Sequence, residues 1–158
     1  MNYIFVPMNE KYANEIAYNW KYDGIYSFYD ITADKEDLKE FLDPESWEDT
    51  FAVLDEFEEL IGFYSFYFKS DIMWIGFGLK PNLTGEGHGS DFVLSGIKYG
   101  LKKYNYKKDY LMLAVAKFNK RAIKVYKKIG FKIVEEYLQE TNGGKYDFLK
   151  MKKELNKR

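Results

Sequence analysis

LKPNLTGEGHG, residues 79–89, ends in three glycines at alternate positions, Gly85, Gly87 and Gly89, directly before a segment that repeats apolar residues at helical spacing. Phe92, Val93, Ile97, Leu101 and Tyr104 share one face of a helix expected over about residues 88–104. A glycine-rich turn that runs into a helix leaves free N–H groups at the positive end of the helix dipole and lets an anion reach them. A phosphate or diphosphate cradle is therefore the first chemical reading, although the spacing alone also allows a purely structural tight turn. Three nucleotide loops do not fit. A Walker loop needs a Lys that is missing here. A dinucleotide fingerprint needs a third glycine where Ser90 stands, and an opening β-α-β unit. A kinase loop belongs to a much longer chain.

Upstream of the glycines lie three runs rich in β-branched and aromatic residues, TFAVLDEF (50–57), ELIGFYSFYFK (59–69) and DIMWIGFGLK (71–80), which predict an antiparallel meander. YIFVPM (3–8) predicts a first strand, and the segment from Asn9 to Tyr22 a helix with Ile16, Ala17 and Trp20 on one face. Asp34 caps a second, short helix carrying Leu38 and Phe41. Between these helices, WKYDGIYSFYD (20–30) has neither period and reads equally as a pocket-lining loop or as a piece of core. Downstream come a buried strand, YLMLAVA (110–116), and a helix over 120–129 that Asn119 caps and Gly130 stops. Two last strands, KIVEEYLQET (132–141) and KYDFLKMKKE (145–154), are joined by an Asn142-Gly143-Gly144 hairpin turn. An antiparallel run followed by a β-α-β-α-β passage predicts a mixed α+β fold, with residues 1–158 forming one domain.

Two stretches of this sequence together resemble the GNAT superfamily of N-acetyltransferases. The first is LKPNLTGEGHG: the family pattern is [QR]-x-x-G-x-[GA] shortly after a strand ending in an aliphatic-x-Pro, and Leu79, Pro81, Gly87 and Gly89 fill it, with Thr84 at the Gln/Arg position as a departure. The second is NKRAIKVYKKIGF, which matches N-x-x-A-x-x-x-Y-x-x-x-G-F through Asn119, Ala122, Tyr126, Gly130 and Phe131. The likeness covers about residues 50–155. It implies a central, mostly antiparallel sheet of about seven strands flanked by about four helices, with the fourth and fifth strands parallel and splayed.

The resemblance also implies a cofactor, acetyl-CoA, whose diphosphate would sit on the backbone of Thr84, Gly85, Glu86, Gly87, His88, Gly89 and Ser90. Its pantetheine arm would fill the gap between the splayed strands, with the Phe77 N–H at the thioester carbonyl, Leu79 beside the pantetheine amides and Asn119 close by. A bulge that opens such a gap is easiest where side chains are small, and Gly76 and Gly78 flank Phe77. Tyr126 takes the role of the acid that protonates the departing sulfur, whereas periodicity alone would make it a core tyrosine. Met73 and Ala114 stand where related enzymes often carry Glu, so the general base is sought among Glu59, Asp71, Asp23, Asp30 or a water chain. The segment after the first strand and the final hairpin, QETNGGKYD, are expected to wall the acceptor site. There Tyr22, Asp23, Tyr26, Tyr29 and Asp30 offer charge and ring faces to a cationic amine, and they serve equally well as packing under the first helix. A small cationic amine, an aminoglycoside-like compound or a protein N-terminus would suit this wall.

Composition bounds the alternatives. The chain has 158 residues, 46% hydrophobic and 20% aromatic, which predicts a packed globule. It has no cysteine, which excludes a disulfide framework, a thiolate zinc site and a cysteine nucleophile. His88, the single histidine, makes no metal site. The N-terminal residues lack the pattern of a signal peptide and no apolar run spans a bilayer, so a cytoplasmic protein without membrane contact is expected. Residues 1–97 carry 6 Lys+Arg and 19 Asp+Glu, and residues 98–158 carry 18 and 6. The acidic part suits a cationic acceptor and the basic part the phosphates of coenzyme A, although Lys102, Lys103, Lys107, Lys127 and Lys128 read equally as solvated faces. A nucleic-acid module is disfavoured because no recognition motif accompanies the lysines. A non-catalytic acyl-CoA sensor of the same fold is the alternative function, and a homodimer is compatible with the sequence.

Overall fold

In the computed structural model, which describes residues 1–155, the β-branched and aromatic runs of the first half build the expected meander. Strand β1 (Ile4–Pro7) pairs with β2 (Thr50–Leu54), β2 with β3 (Leu60–Lys69), and β3 with β4 (Ile72–Leu79), all antiparallel. The second half adds β5 (Tyr110–Ala116), β6 (Phe131–Thr141) and β7 (Gly144–Glu154), and the seven strands form one sheet in the order β1-β2-β3-β4-β5-β7-β6. Only β4 and β5 run parallel. Their ladder is a single residue pair, Trp74 with Met112. Beyond it the strands part, while β5 stays paired with β7 from Tyr110 to Ala116.

Four α-helices cover the sheet: α1 (Glu10–Asn19), α2 (Lys35–Leu42), α3 (Gly89–Lys103) and α4 (Lys120–Lys128). Helices α3 and α4 bury Phe92, Val93, Ile97 and Ile123 against Phe66, Ile75 and Leu113. A second apolar cluster joins Ala13, Ile16 and Trp20 of the α1 region to Ala52, Leu54 and Leu60, with Phe41 and Phe63 packed on it. Successive β3 residues, Phe63 and Tyr64, thus enter opposite layers, as strand alternation requires. Helix α3 lies unusually close to the sheet. A Cβ placed on Gly96 would come to 2.5 Å from Cδ2 of Tyr64 and closer still to Cε2 and Cζ, and one on Gly100 would come to 2.8 Å from Cζ of Phe66.

The expected caps and turns are present. The Asp34 carboxylate accepts from the N–H groups of Glu36 and Asp37, and the Asn119 side chain accepts from that of Ala122. Gly130, at φ +108°, ends α4. Asn142 and Gly143 both take positive φ in the β6–β7 turn, the backbone of a two-residue hairpin matched to strand twist. WKYDGIYSFYD shows neither period because it contains a short 3-10 turn, Gly24–Tyr29, whose three-residue repeat differs from both, and a second such turn, Ile31–Ala33, follows it. Among the described residues no helix is long and apolar enough to cross a membrane.

Candidate active site

Hydrogen-bond direction alternates along a strand, and one bond fixes the phase in β4. The Lys80 N–H donates to the Ile61 carbonyl, so Gly78 and Gly76 also point their backbone groups to β3. Phe77 and Leu79 therefore turn theirs to the opposite side, where β5 has left. The Leu79 carbonyl receives the Tyr22 hydroxyl at 2.7 Å. A carbonyl has two lone pairs, so this bond leaves capacity for another donor. The parting of the strands opens into a cavity of about 720 Å³ that also reaches the glycine turn, α4 and the 3-10 segment.

At one end of the cavity the chain leaves β4 through a short 3-10 turn, Pro81–Leu83. Thr84 folds back on this turn, its hydroxyl and N–H donating to the Pro81 carbonyl at 2.7 and 3.2 Å. Gly85 and Gly87 then adopt φ of +75° and +85°, which residues with a Cβ rarely adopt. Helix α3 starts at Gly89 without a side-chain cap. From Gly85 to Asp91, no backbone N–H has a partner among the described residues. A concave run of unfilled donors at a helix N-terminus is the chemistry that receives phosphate oxygens. This donor set fits the diphosphate of coenzyme A.

Tyr126 reaches the middle of the cavity from α4. Its ring meets Phe77 edge-on, with centroids 5.8 Å apart, and Phe131 at 6.0 Å. The residue is half-buried, and its hydroxyl makes no hydrogen bond among the described residues. Burial, and after it the neighbouring Tyr29, pushes its ionisation well above the usual phenol range. The group therefore remains a proton donor at neutral and moderately alkaline pH.

The other end is aromatic and acidic. Tyr22, Tyr29 and Asp30 line it, and Tyr26 of the same segment also lines the cavity, with its ring over the Arg121 guanidinium. The Asp30 carboxylate accepts from the Tyr22 N–H at 2.9 Å, which folds the 3-10 segment back toward α1. The Asn119 amide, besides capping α4, donates to the Tyr29 hydroxyl at 3.2 Å. Of the residues singled out in the sequence, Phe77, Leu79, Thr84, Gly85, Gly87, Gly89, Ser90, Asn119 and Tyr126 also line the cavity. Three do not. Asp23 is exposed just before the left-handed Gly24, which turns the chain so that Tyr22 and Tyr26 face inward. Glu86 and His88 lie between the glycines, where only their backbone N–H groups belong to the cradle. Of the remaining carboxylates considered as base, Glu59 and Asp71 are also outside the wall, Asp71 in the turn at the opposite end of β4.

Several wall residues were not singled out in the sequence. Asp37 of α2 lines the cavity, and burial, then Asp34 and Glu40, raises its ionisation above the usual carboxylate range. Its signal was present as an acid one turn after the Asp34 cap. Arg121 and Lys124, together with Lys128 of the basic part already noted, present one α4 face to the cavity at i, i+3 and i+7 spacing. Thr141 and Asn142 bring the hairpin turn to the wall, as expected for the final loop. The hairpin is fastened there: Asp34 Oδ2 accepts from the Asn142 N–H at 2.8 Å, and the Asn142 side chain donates to the Phe28 carbonyl at 2.8 Å. No sequence pattern announces this bond between positions more than a hundred residues apart. Among the described residues no cluster of His, Asp or Glu could hold a metal ion.

Comparison of the sequence with curated proteins returns no match. Solved structures match across nearly the whole chain. A spermidine N-acetyltransferase SpeG chimera from Vibrio cholerae and hSSAT superposes with a TM-score of 0.72 at 15% identity, over 98% of this chain and 96% of that one. A GNAT-family acetyltransferase from Bacillus anthracis gives 0.70 at 17% identity, over 96% and 94%. The ribosomal-protein-S5-alanine acetyltransferase of Vibrio fischeri gives 0.64 at 19%, over 98% and 93%. At these identities the likeness concerns the fold. The sequence pattern of the acetyltransferase (GNAT) domain matches residues 2–132. With that match over most of its length, the chain belongs to the GNAT family of acetyltransferases and is an acyltransferase.

Proposed function

We propose that the protein transfers the acetyl group of acetyl-CoA directly to a primary amine of a small cationic acceptor. One observation carries this reading: the glycine turn with its unfilled N–H groups, the parted strands, Tyr126 and an acidic aromatic wall all open into the same cavity. When bound, the thioester supplies an activated acetyl group. The N–H groups from Gly85 to Asp91 hold the diphosphate, and the gap beside Phe77 and Leu79 takes the pantetheine arm. The Phe77 N–H, facing that gap, stabilises negative charge on the carbonyl oxygen as the amine attacks. The new C–N bond forms, the C–S bond breaks, the sulfur takes the proton of the Tyr126 hydroxyl beside Phe77, and the proton that the attacking nitrogen sheds as the amide forms returns through water to the Tyr126 oxygen.

Asp30 and Asp37 draw the ammonium form of the acceptor into the wall, and the faces of Tyr22 and Tyr29 favour the same charge. The amine must lose its proton before attack. Met73 is fully buried on β4 and Ala114 stands on β5, so the strands beside the gap offer no carboxylate at these positions. The proton therefore leaves through water to the carboxylates of the acceptor wall. The bonds from the hairpin turn to Asp34 and Phe28 fix Thr141 and Asn142 in the wall at that end of the cavity. This favours a slender amine over a folded protein terminus.

Thiol release from acetyl-CoA, followed across diamines, polyamines, aminoglycosides and N-terminal peptides, tests the reading. A small polycationic amine should give saturable release. Binding of acetyl-CoA without release for any amine would turn the assignment to an acyl-CoA sensor, and release only with N-terminal peptides would move the acceptor to protein.

A further inference from the structure

The glycine turn has no Lys or Arg of its own: its first position is Thr84, whose hydroxyl is consumed by the Pro81 carbonyl. A guanidinium nevertheless stands at the turn. Arg121, near the start of α4, lies so close to Gly85 that a Cβ added there would come to 3.4 Å from its Nη1. The guanidinium carbon sits 4.2 Å from the centroid of the Tyr26 ring. No carboxylate lies within ion-pair distance of Arg121 among the described residues. A planar cation is thus held by a ring face against a turn whose N–H groups are unfilled, with no anion of the protein to neutralise it.

We infer that Arg121 is the side-chain grip for the diphosphate, supplied from α4 to a turn that lacks one, and that Tyr26 orients it. This rests on the acetyl-CoA reading above. The guanidinium fork offers parallel N–H donors to two oxygens of one phosphate, beside the main-chain donors of the turn. A lysine at this place would supply charge without the fork or the stacking surface. Tyr26 belongs to the segment that walls the acceptor end, so the same stack joins the cofactor grip to the acceptor wall.

The test is calorimetric binding of coenzyme A, dephospho-coenzyme A and pantetheine to the intact protein and to Arg121→Gln and Arg121→Lys, with unliganded melting temperatures as a folding control. Arg121→Gln should weaken coenzyme A by about 10- to 100-fold, the worth of a charge-assisted pair. It should weaken dephospho-coenzyme A by the same factor, because both carry the diphosphate, and leave pantetheine unchanged. Arg121→Lys should fall between. Tyr26→Leu should reproduce part of the loss and Tyr26→Phe should not. Equal coenzyme A affinity in Arg121→Gln and the parent would overturn the inference while leaving the acetyl-CoA reading intact. A loss seen with coenzyme A but not with dephospho-coenzyme A would overturn it too, assigning Arg121 to the 3′-phosphate. Failure of the parent to bind coenzyme A at all would refute both.

Discussion

Gly96→Ala sets two physical effects against each other. On an isolated helix the change should stabilise by about 1 kcal/mol, the intrinsic preference of Ala over Gly. In this protein the new methyl would come to 2.5 Å from Tyr64 Cδ2 and nearer to two further ring atoms. Ordinary carbon contacts lie at about 3.5–4.0 Å, so helix or ring must move by about an ångström or more. The ring has little freedom: Tyr64 is fully buried, stacks on Phe66 and Phe77, and donates its hydroxyl to the Val93 carbonyl of α3 at 2.9 Å. Overpacking of this kind costs about 1–3 kcal/mol, and the tightness here argues for the upper end. The net expectation is a loss of about 2 kcal/mol, or roughly 4–8 °C in Tm for a domain of this size. Urea and thermal unfolding measure it. In a Tyr64→Leu background the same substitution should cost clearly less, since the ring is what it strikes. A displaced α3 would also carry its first turn away from the cradle, so acetyl-CoA affinity should fall with stability. A Gly96→Ala protein as stable as the parent, or more so, would refute the packing argument.

Tyr126→Phe should lower turnover by about 10²- to 10⁴-fold while leaving acetyl-CoA affinity nearly unchanged, because only the proton donor is removed; stopped-flow thiol release and calorimetry separate the two. Because burial raises the ionisation of this phenol, the rate profile of the parent should show no falling limb assignable to Tyr126 below about pH 10. Asp30→Asn and Asp37→Asn should each raise KM for a cationic acceptor with a smaller effect on kcat, and the pair together should remove the preference for cationic over neutral amines. Asp34 is held below the usual carboxylate range by the N–H groups of Asp37 and Asn142. Its contribution to stability is therefore present above about pH 4 and lost as pH falls through its lowered folded value. Asp34→Ala should consequently be less stable than the parent at pH 7 and converge with it in strong acid, as followed by thermal unfolding across pH.

The elements were legible in the sequence wherever a local rule governs them. Asp34, Asn119 and Gly130 stop and start helices by capping chemistry that involves neighbours within three residues, and the β2–β4 runs declare themselves by their β-branched and aromatic residues. The glycine turn was legible for the same reason, since positive φ at Gly85 and Gly87 is a property of single residues. What escaped were contacts made across the chain. Asp37 looked like one more acid on a short exposed helix, and only the packing of α2 against the 3-10 segment brings it to the cavity. Arg121 read as an unspecified position within a longer pattern, because nothing local distinguishes a solvated Arg from one stacked on Tyr26. The 3-10 segment itself was ambiguous because its aromatic residues answer to tertiary neighbours on α4 and the hairpin.

The lone Trp74–Met112 pair has a mechanical consequence. With one rung between them, the four-strand half and the three-strand half of the sheet are joined chiefly by the side chains packed in their common core, so the seam can widen locally while few backbone hydrogen bonds are lost. A ligand threaded along the seam would bridge both halves at once. On the acetyl-CoA reading, a cofactor lying in the gap would stiffen the seam, and its departure would let the seam loosen again.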